Sequence, residues 1–535
     1  MVRFKLVILA AAAAVAVGQS FSVAADDNPR PFDNSRNALN APSPEPGSQF
    51  GLAPSGKQGI ALCTTTTSLA ANVNTDCAQP SKGPHNETSI AVNPTDGMNM
   101  IGGANDYQLI LNPGGHVSET ILSQAHVTTD GGKTWSNYPV FSNSSYQATG
   151  DPALAFDGAG NAYYGTLGFR FISFKNAQNP DVLVSTSSDK GKTWSVVRIA
   201  QGSGNEGSVG DLLDKEYVAA WGNGNAIVTY GDFRLGQKGG FISATIHSSV
   251  THDGGQSWSA LNTISGSLDQ AFVSTPVVAK DGRIFVSFLN TTDLATGRDD
   301  YEVVEVSPAT GAALGAPVKV ATTIDGATDY PIAFGRQTYQ DSVFRSWAAG
   351  NIAADPKNAA HLAVVWSDMR NSVTPAPSNP YVAKTNSDVV VSQSFDSGKT
   401  WSKTPVALAI KGDQFMPWGA YDKNGLLRIG FFDRSYDSAN HQYGYTVATE
   451  TGSGTLAFTT AQVTTTLSDP TQGDRWFART VNAGFPHATA FLGDYSNIAA
   501  TADGGVVAYW TDMRNDLAFA GRSGHGEDAY FAKTS

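Results

Sequence analysis

The 535-residue sequence is poor in cysteine and in positive charge. It contains two cysteines, and 47 Asp and Glu residues outnumber 35 Lys and Arg residues, which gives a formal net charge of −12 at pH 7. Neutralising a nucleic-acid backbone requires a surplus of Lys and Arg on one face of a protein. The acidic balance therefore predicts that the chain has no nucleic-acid partner.

Long apolar segments are also missing. The apolar run at residues 6–17 is shorter than the roughly 20 residues that cross a bilayer, and no later segment comes close, so we expect no membrane span. The run follows the basic residues Arg3 and Lys5 and precedes the small residues Val23-Ala24-Ala25, a pattern typical of a secretory signal peptide. The sequence thus predicts a signal peptide over residues 1–25 and a secreted protein, either extracellular or periplasmic.

The region after the predicted signal peptide changes composition twice. Residues 26–56 are rich in Pro, Asn, Ser and Gly without an apolar period, which predicts a flexible leader. Residues 57–535 are expected to form one domain.

Cys63 and Cys77 lie close together in an exported chain, so we expect a disulfide that contributes about 3 kcal/mol. The sequence indicates no particular oligomeric state.

No cofactor motif is evident. The sequence has no phosphate-binding glycine loop and no serine nucleophile elbow, and its histidines, including His85 and His525, lack metal-ligand spacing. Asp157 and Asn161 could belong to a calcium loop, but they are more typical of a hairpin turn. We therefore predict no cofactor and no metal site, with calcium as the open alternative.

What the sequence does contain is a repeated octet. The stretch "TTDGGKTW" at residues 128–135 recurs with small changes at residues 187–194, 251–258 and 394–401. The shared pattern is Ser or Thr, any residue, Asp, any residue, Gly, any residue, Ser or Thr, Trp. Each copy follows a strand-like run such as "VLVSTSSD", so the octet is predicted to be a turn between two strands. Four copies in register indicate an internal repeat.

A second hairpin precedes each octet and also recurs where the octet is absent. Seven such strand–turn–strand units can be counted, at residues 87–106, 151–169, 215–234, 274–290, 348–370, 417–434 and 493–514. Two hairpins per unit give four antiparallel strands, which is the blade of a β-propeller. The sequence therefore predicts an all-β, seven-bladed propeller, with six blades as the alternative. The last unit lacks a fourth strand, which we expect residues 59–67 or 66–73 to supply.

The octet resembles the Asp-box, or bacterial neuraminidase repeat, of sialidase-like propellers, and the seven units cover nearly all of the chain from His85 onward. In that family the Asp binds turn amides, while Thr and Trp hold the hairpin at the rim away from the active face. The resemblance implies structural roles for Asp130, Asp189, Asp253 and Asp396. It also implies a glycan-active protein, most plausibly an exo-acting, sialidase-like glycoside hydrolase with a carbohydrate or glycoconjugate as ligand.

The candidate site follows from strand direction. The starts of first strands and the ends of second strands converge on the face opposite the Asp-boxes, and carboxylates at these places are the groups that glycoside hydrolysis uses. The predicted catalytic residues are Glu87, Asp151, Asp214 and Glu216. The predicted substrate-binding residues are Tyr107, Arg234, Arg370, Arg434, Arg514, Trp347 and Trp418. Recurrent motifs such as "SDMR" and "TDMR" leave a structural alternative, in which Asp–Arg pairs join adjacent blades.

A second class of function stays open. Sialidases place their first substrate arginine before the first Asp-box, whereas this sequence has no Arg between Asn37 and Val127 and has "GPHNET" in that region. The missing arginine favours a noncatalytic propeller that binds extracellular glycan or protein. The abundance of carboxylates favours the enzyme.

Overall fold

The computed structural model describes residues 60–64, 72–76, 84–111, 117–141, 146–173, 176–205, 209–237, 240–292, 296–333, 336–372, 379–472, 489–519 and 522–534. These residues form an all-β structure without an α-helix. Among them, no helix has the length and apolar character to cross a membrane. The predicted signal peptide and leader lie outside the described residues, and so does Cys77 of the predicted disulfide.

Seven four-stranded antiparallel blades follow one another along the chain. Two short strands come first, β1 (Ile60–Thr64) and β2 (Val73–Asn74). Blade 1 contains β3 (His85–Val92), β4 (Met100–Leu111), β5 (Val117–Ile121), β6 (Gln124–Thr128) and β7 (Thr134–Pro139), with β5 paired only to the end of β4. Blade 2 contains β8 (Ala148–Phe156), β9 (Ala162–Phe169), β12 (Asp181–Ser187) and β13 (Ser195–Ala200), with the hairpin β10 (Phe171–Ser173) and β11 (Asn176–Ala177) between its second and third strands.

Blades 3 to 5 repeat the same order. Blade 3 contains β14 (Gly210–Trp221), β15 (Asn225–Leu235), β16 (Phe241–Thr251) and β17 (Asn262–Thr263). Blade 4 contains β18 (Ala271–Val278), β19 (Ile284–Thr291), β20 (Asp299–Val306) and β21 (Val318–Thr322), and the hairpin β22 (Ile332–Ala333) and β23 (Arg336–Gln337) follows it. Blade 5 contains β24 (Asn351–Ala354), β25 (Leu362–Asp368), β26 (Asp388–Ser394) and β27 (Val406–Ala407).

The last two blades complete the ring. Blade 6 contains β28 (Gln414–Tyr421), β29 (Leu427–Asp433), β30 (Gly444–Glu450) and β31 (Phe458–Gln462). Blade 7 contains β32 (Asn497–Ala500), β33 (Val506–Asp512), β36 (Asp528–Thr534) and, as its fourth strand, β2. The hairpin β34 (Asp516–Phe519) and β35 (Arg522–His525) precedes β36. The seven-bladed prediction is confirmed, and the six-bladed alternative is wrong.

The N-terminal part of the chain closes the ring, as the sequence predicts, with a strand that overlaps the second predicted segment, 66–73, only at Val73. Val73 pairs with Phe531 and Asn74 with Tyr530, so the fourth strand of blade 7 is only two residues long. The segment at 59–67 instead contributes β1, which pairs with β7 as an extra outer strand of blade 1. Joining both ends of the chain in one blade removes an open sheet edge.

Burial decreases from the second strand of a blade to the fourth. Every residue of β19 ("IFVSFLNT") is buried, whereas four of the five residues of β31 are exposed. The apolar side chains of neighbouring blades pack face to face, and Leu289 of blade 4 and Trp366 of blade 5 belong to one such buried cluster. This packing fixes the blades around the axis and brings the starts of their first strands together.

Candidate functional site

The first strands of five blades share a backbone irregularity near their starts. A β-bulge interrupts the pairing of β3, β8, β14, β18 and β28 with the second strand of each blade. The first bulge residue has φ between 50° and 57° in all five blades. These residues are Glu87, Asp151, Lys215, Val273 and Met416. Positive φ is uncommon outside glycine and indicates a conformation that the surrounding structure holds in place.

Three of these bulge residues meet near the centre of the ring. The Nζ atom of Lys215 lies 2.7 Å from Oδ2 of Asp151 and 3.3 Å from Oε1 of Glu87. A fourth residue, Asp494, precedes β32 and places its Oδ2 atom 2.7 Å from the same ammonium group. All four side chains are buried. One lysine therefore holds together three carboxyl groups from blades 1, 2 and 7.

Arg345 provides the second cation of this cluster. Its guanidinium group forms a two-pronged ion pair with Asp494, with 2.5 Å between Nε and Oδ1, and its Nη2 atom lies 4.0 Å from Oε1 of Glu87. The indole nitrogen of Trp347 also donates to Asp494, over 2.9 Å. A bidentate arginine fixes the orientation of a carboxylate. Asp494 is thus a rigid anion.

The environment divides the carboxyl groups into protonated and ionised members. Burial and the neighbouring Asp151 raise the pKa of Glu87 well above its ordinary value. Burial also raises the pKa of Glu216 well above its ordinary value and that of Asp214 to about 7. By contrast, Arg345 and Lys215 outweigh the effect of burial on Asp494 and lower its pKa. Carboxyl groups with such different pKa values are typical of acid–base sites.

Glu216 differs from the other predicted catalytic residues in its contacts. Both of its carboxyl oxygens are buried, and neither has a hydrogen-bond partner among the described residues. It is the second residue of the bulge in β14, whereas Glu87 and Asp151 are first residues. The structure therefore places Lys215, and not Glu216, at the position equivalent to the two acids.

A pocket lined with aromatic side chains opens beside the carboxylates. Lys215 and Asp494 form part of its wall. The rings of Tyr217 and Trp418 stack with centroids 5.4 Å apart. The aromatic lining consists of Tyr217, Trp347, Trp418 and Tyr495. Aromatic faces beside a few polar groups are typical of small-molecule sites. The placement of Trp347 and Trp418 agrees with their predicted location at the mouth.

Three of the predicted substrate-binding arginines are occupied by other contacts. The Nη2 atom of Arg370 lies 2.7 Å from Asp368, and that of Arg514 lies 2.6 Å from Asp512. Each partner is two residues earlier in the chain, so the predicted alternative of Asp–Arg pairs between adjacent blades is wrong. Arg434 is fully buried, donates to Ser342 over 2.6 Å and packs against Phe344. A guanidinium group that is sealed in this way has no access to a ligand.

The remaining predicted binding residues also lie outside the pocket wall. Arg234 is exposed near the end of β15, opposite Asp211. Tyr107 is fully buried within blade 1, where it pairs with Ile121. The structure brings together Glu87, Asp151, Asp214, Trp347 and Trp418 from the predicted set. It does not bring the predicted arginines to them.

Sequence reasoning missed Lys215 and Arg345. Lys215 stands between two predicted acids, Asp214 and Glu216, but a search for carboxylates passes over it. Its alignment with Glu87 and Asp151 depends on a bulge, which shifts the register by one residue. Arg345 lies in the segment before β24, outside every repeated unit, so the repeat gives no signal for it.

The Asp-boxes lie at the opposite end of the blades and form closed hydrogen-bond networks. Asp189 accepts hydrogen bonds from the hydroxyl groups of Ser187 and Thr193 over 2.8 Å and 2.7 Å, and from two backbone amides. The indole nitrogen of Trp194 donates to the Gly191 carbonyl over 2.9 Å. The same pattern is present around Asp130, Asp253 and Asp396. Their predicted role as turn residues agrees with this geometry.

The box glycine also joins neighbouring blades. Gly132, with φ of 92°, lies so close to Phe531 of blade 7 that a Cβ atom would be 2.3 Å from the ring. A Cβ atom on Gly191 would be 2.6 Å from Ile101 of blade 1. Only glycine combines this backbone angle with such a close approach. The boxes therefore fix the contact between blades, away from the carboxylate cluster.

Comparison with known proteins gives matches of structure only. No protein-family model matches the chain, and a search of curated proteins gives no significant match. A sialidase of Streptococcus pneumoniae is similar in structure, with 8% identity and a TM-score of 0.43 over 81% of this chain and 83% of the sialidase. An α-L-arabinofuranosidase of Fusarium graminearum, solved with arabinobiose, shows 14% identity and a TM-score of 0.41 over 86% and 97% of the two chains. The propeller fold itself is established by the strand pairing described above.

Proposed function

We propose that the protein is a glycan-active propeller, and most plausibly a glycoside hydrolase, whose site is the aromatic pocket beside the central carboxylates. The observation that carries this proposal is the pairing of Glu87 with Asp494 around Lys215. The pKa of Glu87 is raised by burial and by Asp151, that of Asp494 is lowered by Arg345 and Lys215, and both carboxyl groups lie within 3.3 Å of the same ammonium group. Glycoside hydrolysis needs a protonated and an ionised carboxyl group, one to protonate the leaving oxygen and one to stabilise the sugar cation or activate water.

The roles of the residues follow from their positions. Asp494 lines the pocket as a rigid anion, so it is assigned to the developing positive charge on the sugar. Glu87 is assigned as the acid that gives its proton to the leaving oxygen, and Asp151 contacts the same ammonium group of Lys215. Trp347 and Trp418 line the pocket and would form apolar walls beside a bound sugar. We keep exo action as part of the proposal.

The charge of the site favours a neutral sugar over a sialoside. A sugar carboxylate is recognised best by free arginine side chains, which form two parallel hydrogen bonds with it. Here Arg345 is paired with Asp494, and Arg370 and Arg514 are paired with their own aspartates. Within the sialidase-like class, we therefore infer a neutral glycoside substrate and retain exo-α-sialidase activity as the alternative.

A panel of fluorogenic glycosides tests the proposal. The purified protein is assayed with a sialoside and with neutral pyranosides and furanosides, and the Glu87→Gln variant is the matched control. Turnover of a neutral glycoside that is lost in the variant is expected. Turnover of the sialoside alone would identify the alternative substrate.

A noncatalytic glycan-binding propeller is the second candidate. The observation in its favour is that Lys215 engages three carboxyl groups at once, an arrangement that also stabilises a fold without chemistry. No turnover across the panel, together with binding on a glycan array, would establish this candidate instead. Secretion is also part of our proposal, and N-terminal sequencing of exported protein would show whether cleavage follows residue 25.

A further inference from the structure

A second cluster of ionisable side chains lies at the seam between blade 7 and blade 1. The seam cluster consists of Asp76, His85 and Asp528. Asp76 follows the closing strand β2, His85 begins β3, and Asp528 begins β36. One potential ligand atom from each residue lies within 4.8 Å of the others. Three separate segments of the chain therefore bring nitrogen and oxygen donors to one point.

The imidazole ring of His85 has an oxygen atom within 3.3 Å of each nitrogen, but only Nδ1 forms a hydrogen bond. Its Nδ1 atom lies 3.1 Å from Oδ2 of Asp76 and 3.2 Å from the backbone carbonyl oxygen of Glu527. Its Nε2 atom lies 3.3 Å from Oδ1 of Asp106. A carboxylate behind a histidine, on the side away from the ligand, is a recurrent arrangement around protein-bound metal ions because it fixes the ring and makes it more basic.

The cluster is buried and its hydrogen bonding is incomplete. Asp76 is 3% exposed and His85 is 2% exposed. The Oδ1 atom of Asp76 has no hydrogen-bond partner among the described residues, although buried polar atoms normally have one. Asp528, the third member of the cluster, is half-buried. A cation beside the imidazole would supply the partner that the buried Oδ1 atom of Asp76 lacks.

We propose that the seam cluster binds one divalent transition-metal ion, of which zinc is the best fit. Imidazole and carboxylate groups are common zinc ligands, and zinc is usually four-coordinate. Asp76, His85 and Asp528 supply three donors, and a water molecule would supply the fourth. Calcium prefers six to eight oxygen ligands and does not favour an imidazole nitrogen. This site is independent of the proposed glycan function, since its residues do not line the pocket.

The position of the site defines what the ion would do. It would connect the segment after the closing strand to the first strand of blade 1 and the third strand of blade 7. These are the elements that join the two ends of the chain, and the closing strand contributes only two residues of pairing. A ligand that binds the folded chain and not the unfolded chain stabilises the fold. Metal binding would therefore stabilise the closure of the ring between blades 7 and 1.

Calorimetric titration of chelator-treated full-length protein with zinc chloride tests this proposal, with calcium chloride as the comparison. One zinc ion per chain is expected, together with a rise in melting temperature of at least about 2 °C at saturation. The Asp528→Asn and His85→Gln variants should weaken zinc binding by more than about tenfold. Asp528 is only partly buried, so its variant remains informative even if His85→Gln fails to fold.

His361→Gln is the matched control. His361 is buried and lies 3.0 Å from one carboxylate, Asp355, but it is not part of a three-residue cluster in the described part of the chain. Its substitution should leave zinc affinity within about twofold of the parent. The absence of zinc binding below millimolar concentration, unchanged affinity in Asp528→Asn, or tighter binding of calcium than of zinc would each overturn the proposal.

Discussion

Both ends of the blades carry carboxyl groups, but the surroundings at the two ends shift the pKa of these groups in opposite directions. At the Asp-box end, Asp253 and Asp396 accept hydrogen bonds from a neighbouring Ser or Thr, and these bonds lower the pKa of each carboxyl group to about 2. At the bulge end, burial and neighbouring carboxyl groups raise the pKa of Glu87 well above its ordinary value. Hydrogen-bond donors within its own turn make a carboxylate structural. Burial among like charges makes it a proton donor.

The two ends also differ in how they repeat. The hydrogen bonds that the Asp-box carboxylate accepts come from residues of the same octet, so these side chains must repeat whenever the turn does. The bulge repeats only as backbone, and its first residue is Glu, Asp, Lys, Val or Met. Side chains at the bulges contact other blades, and each blade has different neighbours. A repeated backbone with varied side chains is therefore where an individual site can form.

Loss of the central lysine should have the largest effect. Lys215→Met leaves Glu87, Asp151 and Asp494 without their shared cation, and an uncompensated buried charge costs about 3–5 kcal/mol. Denaturant unfolding measures this loss. Lys319→Met is the control, because its ion pair with Asp300 has the same 2.7 Å length but Lys319 is 52% exposed. We expect less than about 1 kcal/mol there. Equal losses of unfolding free energy in both variants would show that the buried cluster contributes no more to stability than an exposed ion pair.

Substitution of the proton donor should separate chemistry from stability. Glu87→Gln resembles the protonated acid in shape, so we expect a nearly unchanged melting temperature and a fall in kcat of about 10² to 10⁴-fold. Glu302→Gln is the control, because burial raises the pKa of Glu302 to about 7 outside the pocket. Full activity in Glu87→Gln would remove Glu87 from the mechanism.

An Asp-box substitution should show the reverse separation. Asp189→Ala removes the acceptor of four hydrogen bonds and should reduce the free energy of unfolding by about 1–2 kcal/mol without affecting turnover. The matched variant is Asp281→Ala, at an exposed turn of blade 4 that has no octet. Its Asp281–Arg283 pair should contribute less than about 1 kcal/mol. Loss of activity in a folded Asp189→Ala protein would contradict the structural assignment.

The smallest expected effect is a difference in pH dependence. The pKa of Asp253 is lowered to about 2, so the unfolded chain binds its proton more readily and the stabilisation is lost as pH falls from about 4 to 2. The pKa of Asp214 is raised to about 7, so the folded chain holds its proton and that stabilisation is lost as pH rises from about 4 to 7. In Asp253→Asn, the free energy of unfolding should therefore depend less on pH between about 4 and 2. In Asp214→Asn, it should depend less on pH between about 4 and 7. The same change in pH dependence in both variants would contradict the opposite pKa shifts of Asp253 and Asp214.

The sequence by itself determined the elements that depend on neighbouring residues. The octet around Asp130 predicts its turn because every hydrogen bond that the Asp130 carboxylate accepts comes from within eight residues. Alternating strands and turns predict seven blades for the same reason, and the missing fourth strand of the last blade predicts closure by the N-terminal part of the chain. The identity of the closing segment did not follow, since two residues of pairing at Val73 and Asn74 are too short a pattern to recognise.

Only the tertiary structure decided which charged groups meet. Lys215 takes its place beside Glu87 and Asp151 because a bulge shifts its register, and Arg345 reaches Asp494 across 149 residues of sequence. Tertiary packing also decides the location of Arg434. Its place in the sequence predicts a position at the mouth, but the structure buries it against Phe344 and Phe415. Burial and long-range pairing set the pKa of each group, and neither quantity is encoded in local sequence. The repeat therefore specifies the ring, while the contacts between blades specify its chemistry.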